Sequence, residues 1–429
     1  MDQRPARRAG VVGDHRDGPR AAGDARLITT QCCIVGGGPA GMMLGFLLAR
    51  AGVRAVVLEK HGDFLRDFRG DTVHPSTLNV IDELGLLDEF LKLPHQKVSR
   101  FSGQFGEERV MVADFSHLPV RAPYIAMMPQ WDFLDFLAAQ GKRYPAFTML
   151  MHAEAIGLIE QDGRVVGVRA AIEGKPEEIS ADLVVGADGR HSTVREAAGF
   201  RPVVLGAPMD VLWFRLSHQP TDSAETMGRF DRGSILVMFD RGDYWQCAYV
   251  IAKGSAETLK AAGIEKFRAR IVKLMPFLAD RVHELATVDD LKLLTVGVDR
   301  LEKWWKPGLL CIGDAAHTMS PLGGVGVNIA VQDAVAASNI LARPLKEGRL
   351  KDSDLAAVQR RRRWPVRATQ AVQVFLQSRM IAPTLAGTRP LRPPWPARLL
   401  NAVPFLRRIP ARVLGMGVQP EHVKTTALS

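Results

Sequence analysis

Apolar residues along this chain recur in two patterns, short unbroken runs and stretches spaced three or four apart. Cys32–Val35 is an unbroken run, followed by GGGPAG and by an apolar segment, Met42 to Arg50, that Gly52 can cap as a helix. Ala55–Leu58 is a second run and ends at Glu59. Short apolar runs suit strands buried on both faces, so these pieces predict a strand–helix–strand unit of a parallel sheet. After Pro75 and Ser76, the residues Leu78, Ile81, Leu84 and Leu87 fall at helical spacing. Val98–Ala126 is strand-like and Trp131–Ala139 returns to a helical pattern. Ala155–Ile172 predicts two strands hinged at Asp162-Gly163, a dipeptide suited to a tight hairpin turn.

Further along, Leu183–Val185 is a short buried strand leading into GADG. Strands are predicted at Val211–Leu216, Ile235–Asp240 and Tyr244–Ile251, then a helix near Leu259–Leu274. Leu309–Ile312 is another buried strand, followed by GDAAH and a helix from Asn328 to Leu341. A helix around Leu355–Met380 precedes a proline-rich, basic end. There is no internal repeat.

Composition narrows the class. The length of 429 residues suits two packed domains with a helical tail, and 47% hydrophobic with 24% charged residues is the balance of a soluble globular protein. A net charge of +10 slightly favours anionic ligands without making a nucleic-acid binder. Arg360–Arg363 is spread around a helix, which gives no nucleic-acid stripe. Cys32, Cys33, Cys247 and Cys311 lie in apolar surroundings without a CxxC, so buried reduced thiols are expected rather than a disulfide or metal site. The apolar stretch Cys32–Leu48 is broken by five glycines and a proline and is no membrane span. Met1 to Arg26, rich in Arg, Gly, Asp and Ala, reads as disordered, with the tail bounded at residue 29. It lacks the apolar core of a secretion signal, and its acids argue against a transit peptide, so a cytoplasmic location is expected.

In GGGPAG, Gly36, Gly38 and Gly41 fill the GxGxxG positions, with Pro39 and Ala40 between the last two. The first glycine permits the tight turn, the second lets backbone approach a pyrophosphate, and the third lets the helix pack on the strand. The helix start offers free amides and partial positive charge to phosphates. Glu59 lies about 20 residues on, where a carboxylate accepts from an adenosine ribose hydroxyl, and Lys60 follows it.

Two later segments carry a family resemblance. DLVVGADGRHSTVR (Asp182–Arg195) resembles the DG motif, and LLCIGDAAHTMSPLGGVGVNIAVQDA (Leu309–Ala334) the GD motif, of the class A flavoprotein monooxygenases. That family includes para-hydroxybenzoate hydroxylase and the ubiquinone-pathway hydroxylases, and the likeness runs from about Gln31 to about Leu345. It implies an α/β fold: an FAD-binding Rossmann-like domain (30–98, 128–200 and 293–345), an interleaved mixed-sheet substrate domain (99–127 and 201–292), and a C-terminal helix and basic tail (346–429). It further implies that Gly313 and Asp314 meet the ribityl chain, and that Gly323, Gly324 and Gly326, after Pro321 in the same cofactor-binding loop, bring backbone close to the flavin ring. The helix beginning at Val327 and Asn328 then points its amides at the pyrimidine edge. Val325 departs from the polar residue that relatives often carry there. By the same likeness Arg69 and Gln130 contact the flavin or its phosphates, although a surface ion pair and a helix cap are their ordinary alternatives. Asp188 would serve flavin and nicotinamide together, or simply fix its turn. His317 reads as a packed structural residue.

No Ser-His-Asp, Cys-His or metal-ligand pattern stands out, which suits chemistry carried by a cofactor. The resemblance implies an FAD-dependent monooxygenase in which NADPH or NADH reduces the flavin, O2 forms a flavin hydroperoxide, and an aromatic or lipophilic small molecule is hydroxylated. Only one dinucleotide motif is present, so the nicotinamide is expected to bind transiently in a groove. The substrate pocket is expected to include Trp213, Met238, Trp245, Tyr249 and Met319, with about half of such strand residues facing a core instead. Arg215 either pairs with an anionic substrate or is an ordinary strand arginine. The basic tail after Ile381 either packs back over the domains or makes a weak membrane-surface contact. The alternatives are a flavin-dependent reductase of the geranylgeranyl-reductase kind and a non-catalytic FAD-binding scaffold.

Overall fold

Leu27–Val35 is the central strand of the main sheet in a computed structural model, which describes residues 27–65, 71–222, 226–387, 393 and 395–427. The expectations for Met1–Arg26 and for Arg69 lie outside those residues. The strand starts earlier than its apolar run because Leu27–Thr30 pair with Glu178–Ala181, so residues 27–29 belong to the sheet and not to a tail. Next to it lie Lys175–Gly186 and Leu309–Cys311 on one side, Ala55–Leu58 and Phe147–Leu150 on the other, all parallel. Parallel pairing covered by helices on its faces explains why these strands read as continuous apolar runs. The expected hairpin is present as Ala153–Gln161 and Arg164–Ile172, and Asp162 (φ 50°) and Gly163 (φ 75°) take the two positive φ values its turn requires.

Helix α1 (Pro39–Arg50) is buried from Ala40 to Ala49 against this sheet. It packs on a later 21-residue helix, Gly326–Lys346. That later helix is the one described helix long and apolar enough to cross a membrane, yet 78% of its apolar window is buried inside the protein. Helix α2 (Pro75–Glu83) and α3 (Gln130–Gly141) complete the cover. All four cysteines are free and buried.

A second, seven-stranded mixed sheet is built from Lys292–Leu294, Met209–Ser217, Tyr244–Ala252, Ser234–Asp240, Met227–Asp231, Arg100–Phe105 and Glu108–Asp114, in that order. One face packs under α4 (Ile264–Leu274), joining Leu212, Phe214, Met238, Trp245, Cys247 and Tyr249 to Phe267 and Ile271. The single helix expected over Leu259–Leu274 is split at Gly263 (φ 89°), where a left-handed residue ends one helix and begins the next.

The Gly326–Lys346 helix is α5, and α6 (Asp352–Leu376) follows it. The tail then forms α7 (Trp395–Ala402) and α8 (Arg408–Met416). Helix α8 buries Ala411 and Met416 among Phe115, Leu118 and Ile125. Beyond Met416 the chain straps back over the first domain. Val423 N donates to Glu83 (2.8 Å), Lys424 N to Asn339 (2.8 Å), and Arg50 Nη1 to Thr425 O (2.6 Å).

A nucleotide cradle and the cleft beside it

The turn between the first strand and α1 is shaped by steric limits. Gly36 has φ 107°, and a Cβ there would lie 2.4 Å from Ala187 O, so the DG segment sits directly against it. A Cβ on Gly41 would lie 2.0 Å from Gly36 O. Gly38 is different: its φ is an ordinary −75° and a Cβ there meets nothing within 4 Å. The open space lies at the N-cap of α1, where no side chain caps the helix and Pro39 occupies the first turn. Free amides facing open space form an anion cradle.

Glu59 closes the far side. Its carboxylate accepts from Gly37 N (3.1 Å) and His61 N (3.0 Å), which fixes it at the strand end. Lys60, His152, Glu154 and Glu173 line an open cleft of ≈ 500 Å³ next to it. Both ends of a dinucleotide's adenosine half thus find partners, and FAD fits this cradle.

The DG and GD segments are tied to each other through protein contacts. Asp188 accepts from Ser192 Oγ (2.5 Å) and Val194 N (3.1 Å), so its carboxylate holds its own turn; burial pushes it above the usual carboxylate range, those hydrogen bonds opposing the shift. Arg195 reaches Ala315 O at 3.4 Å. Asp314 stays partly exposed at the cradle's rim, 4.0 Å from Arg190. Gly313 (φ 56°) donates its N–H to Asp333 Oδ2 (3.1 Å), and a Cβ there would lie 3.1 Å from that of Ala40. The strand-end turns of the two motifs therefore meet around the start of α1.

Asn328 does something other than face a ring. Its Oδ1 accepts from His74 N (2.9 Å) and Thr77 Oγ1 (2.7 Å), and its Nδ2 donates to Thr72 O (3.3 Å). The side chain stitches α2 to the GD loop, leaving only the backbone amides of Gly326, Val327 and Asn328 at the helix start for a ligand. Gly323 and Gly324 have protein neighbours too: added Cβ atoms would meet Leu414 Cδ1 at 2.8 Å and Thr72 Oγ1 at 2.6 Å. The loop from Thr318 to Leu322, including Met319 and Pro321, is clasped by three buried glutamines of α6 and its extension. Gln370 donates to Thr318 O (3.0 Å), Gln373 to Ser320 O (3.0 Å) and Gln377 to Ser320 Oγ (2.5 Å). The sequence reading missed this clasp, and glutamines spaced three and four apart on one helix face were the signal for it.

Three of the five pocket candidates need separating from the rest. Met238, Trp245 and Tyr249 lie on the α4 side of the sheet, deep in its core, with Trp245 Nε1 donating to Asp222 and Tyr249 Oη bonded to Ser234 Oγ. That expectation is corrected: these positions share the register of Phe214, and strand side chains alternate. Trp213 is on the opposite face with Val237 and Phe239, and Met319 is almost fully buried in the first domain's core.

The face of Trp213 opens on a narrow cleft of ≈ 10 Å³ lined by Arg215, Tyr244 and Gln246 from the sheet, by Arg241 from the loop before Tyr244, and by Asp71, Pro129 and Trp131 from the first domain. Gln130, the first residue of α3 behind Pro129, donates its backbone N–H to Asp71. Asp71 also accepts from Gln246 Nε2 (2.8 Å) and pairs with Arg241 Nη2 (2.8 Å). Burial pushes the Asp71 carboxyl up, with Arg241 opposing the shift. The next residue, Thr72, donates to Gly324 O (2.8 Å). One dipeptide therefore joins the GD loop to the second sheet, and the cleft lies beside the cradle. Asp71, Arg241 and Gln246 were not singled out from the sequence, and a lone glutamine in an apolar strand was their only signal.

An uncapped helix start, a carboxylate fixed at the next strand end, a GD loop on a long helix start and an adjoining cleft fit an FAD-dependent oxidoreductase. The chain belongs to the class A FAD-dependent monooxygenase family: the family model described as "FAD binding domain" matches residues 29–373. It is similar to 6-methylpretetramide 4-monooxygenase of Streptomyces rimosus, with 33% identity over 90% of this chain and 92% of that one. It is also similar to rifampicin monooxygenase of Streptomyces venezuelae, with 29% identity over 70% of this chain and 61% of that one. In fold it matches the crystal structure of para-nitrophenol 4-monooxygenase from Pseudomonas putida DLL-E4, at a TM-score of 0.72 and 20% identity, covering 90% of this chain and 97% of that one. The chain is an FAD-dependent monooxygenase, and its cofactor is FAD.

Proposed function

We propose that this enzyme uses NADPH or NADH and O2 to hydroxylate an aromatic substrate, of which a multi-ring phenol is the best-supported kind. The observation that carries this reading is the Asp71–Thr72 bridge, which sets an aromatic-walled cleft beside the GD loop. Trp131 and Tyr244 line that cleft, and Trp213 lies on the same face of the sheet. Flat aromatic walls suit a planar ligand. The likeness to an enzyme named for 6-methylpretetramide supports a multi-ring substrate.

Bound flavin supplies the electron transfer and the activation of dioxygen. The chain's own residues do the rest. Gly38 and the start of α1 hold phosphates, Glu59 orients a ribose, and Gly326–Asn328 direct amides where negative charge gathers. Leu414, packed over Gly323, roofs the loop and limits water there. The tail's exposed Trp395, Phe405 and Ile409, among exposed Arg398, Arg408 and Arg412, support an additional weak contact with an anionic membrane surface.

The test combines a flavin spectrum with NADPH- and NADH-dependent O2 uptake across a panel of phenols and multi-ring aromatics. Uptake stimulated by one compound, with that compound gaining oxygen, supports the reading. Nicotinamide oxidation that saturates a double bond with no O2 uptake overturns it in favour of a reductase. Co-sedimentation with phosphatidylglycerol vesicles, and none with phosphatidylcholine, tests the membrane contact.

A further inference from the structure

Helix α6 turns three large apolar side chains to solvent. Trp364 is 64% exposed, Val372 47% and Phe375 58%. Trp364 and Phe375 lie about three turns apart, so they project in nearly the same direction, with Ala368 and Ala371 between them. The opposite side of the helix is committed. Leu355, Val358 and Val366 are buried in the first domain's core, and Gln370 and Gln373 hold the GD loop. A helix that served only to brace that loop would carry polar residues on its outer face. An exposed apolar stripe on a helix already anchored from behind marks a surface for something else.

The charges beside the stripe are predominantly of one sign. Arg360, one turn before Trp364, is exposed, and so is Arg379, one turn after Phe375 in the turn Gln377–Ile381 that extends the helix. Arg363 and Arg367 lie beside Trp364 and share one acid, Glu302, at 3.4 and 3.2 Å, with Arg300 approaching it at 4.0 Å. The sequence holds no Asp or Glu between Asp354 and Glu421. Aromatic side chains bounded by arginine complement a layer that has anionic groups at its surface and apolar depth below. The rings enter the boundary between headgroups and acyl chains while the guanidinium groups meet phosphates.

Other occupants fit this face less well. An antiparallel two-fold that sets Trp364 against Phe375 of a second copy also sets Arg360 against its Arg379, so like charges meet at both ends. The three apolar side chains offer roughly a few hundred Å², against about 800 Å² per partner in a stable dimer. Met1–Arg26 carries six arginines against four acids and so shares the sign of the stripe. An acidic polypeptide would satisfy the arginines but supplies no apolar layer for Trp364 and Phe375. We propose that α6 seats this enzyme on an anionic lipid surface through Trp364, Val372 and Phe375, with Arg360 and Arg379 on the lipid phosphates. The contact is separate from that of α7 and α8 and does not depend on the reaction proposed above.

The test follows flotation of the FAD-loaded full chain with phosphatidylglycerol or phosphatidylcholine vesicles. It is done in a Phe405→Glu, Ile409→Glu background, which removes the tail's contact. Phosphatidylglycerol should bind the protein about tenfold tighter or more, and salt at about 1 M should weaken that binding severalfold. Adding Trp364→Glu with Phe375→Glu should lower binding about tenfold while flavin content and melting stay normal, because both side chains are exposed. If that protein does not fold, Arg360→Gln with Arg379→Gln should lower it severalfold in a folded one. Absence of binding in the tail-variant background, equal binding to the two lipids, or binding that survives the α6 substitutions overturns the proposal. Binding to polyglutamate with none to vesicles assigns the face to an acidic polypeptide instead. A dimer in light scattering that Trp364→Glu dissociates, again with no vesicle binding, assigns it to a second copy. Either result overturns the lipid contact and leaves the hydroxylation reading untouched.

Discussion

Asp333 Oδ2 accepts from His317 Nε2 at 2.6 Å, and both side chains are essentially sealed from solvent. The same oxygen takes Gly313 N, while Oδ1 takes Arg362 Nε at 2.9 Å, and Arg362 reaches on to Glu421 at 3.3 Å. Burial alone would raise this carboxyl, but His317 and Arg362 hold it below its ordinary range. Its stabilising contribution is therefore present above the unfolded pKa of about 3.9 and is lost as pH falls through the lower folded value. Asp333→Asn removes one of the two buried carboxylates that face Arg362, leaving Glu421, and should cost about 3 kcal/mol. Thermal unfolding should show that loss, with FAD released at a lower temperature because the Gly313 turn loosens; unchanged melting would refute it.

His74 sets a second pH dependence. It is fully buried, its Nδ1 bonds to Leu414 O at 2.9 Å, and burial lowers its pKa from 6.5 to about 4, that hydrogen bond acting the other way. Between those values the unfolded chain binds a proton that the folded one refuses, so stability falls as pH drops through that window. The loss should be about 3 kcal/mol across it. Denaturant titrations at a series of pH values should show this slope, and His74→Gln should flatten it.

Two glycines of one motif should fail in opposite ways. Gly38→Leu places a side chain in open space, so the protein should fold with near-normal stability yet purify without FAD. Gly41→Ala forces a Cβ to 2.0 Å from Gly36 O, so the first strand and α1 must separate and the fold itself should weaken. Circular dichroism melting together with flavin content distinguishes the two; a Gly38→Leu protein that retains FAD removes the pyrophosphate from that position.

The core face of the second sheet and the helix wall across the cleft from its other face should divide by phenotype. Met238→Ala should lower stability by about 2–5 kcal/mol and leave ligand binding by the folded enzyme unchanged. Trp131→Ala should weaken aromatic ligands roughly tenfold with a smaller stability cost. The comparison of melting temperature with KM for each variant decides it.

The nucleotide half was legible because its signals are local. Apolar runs broken by obligatory glycines fix the strand ends, and Glu59 follows directly on the second of them. The second sheet was harder to read for a physical reason. Tyr244–Ala252 is buried at every position from Trp245 to Ile251, so the polar–apolar alternation that normally reveals a strand's wet side is missing. That is why Trp245 and Tyr249 were not told apart from Trp213, which lies on the opposite face. Asp71 and Gln246 are 175 residues apart, and no local pattern links an acid in a loop to a glutamine in a distant strand.

The strap after Met416 has a consequence for the order in which the protein is made. Gln332, Asn339, Glu83 and Arg50 belong to segments translated long before Glu421–Thr425, yet each keeps a hydrogen bond waiting for that stretch. Glu421 also completes the chain of charges that ends at the Gly313 turn. The nucleotide domain is thus begun first on the ribosome and finished last, and a nascent chain halted before residue 421 carries every glycine of the cradle without the tether that braces it.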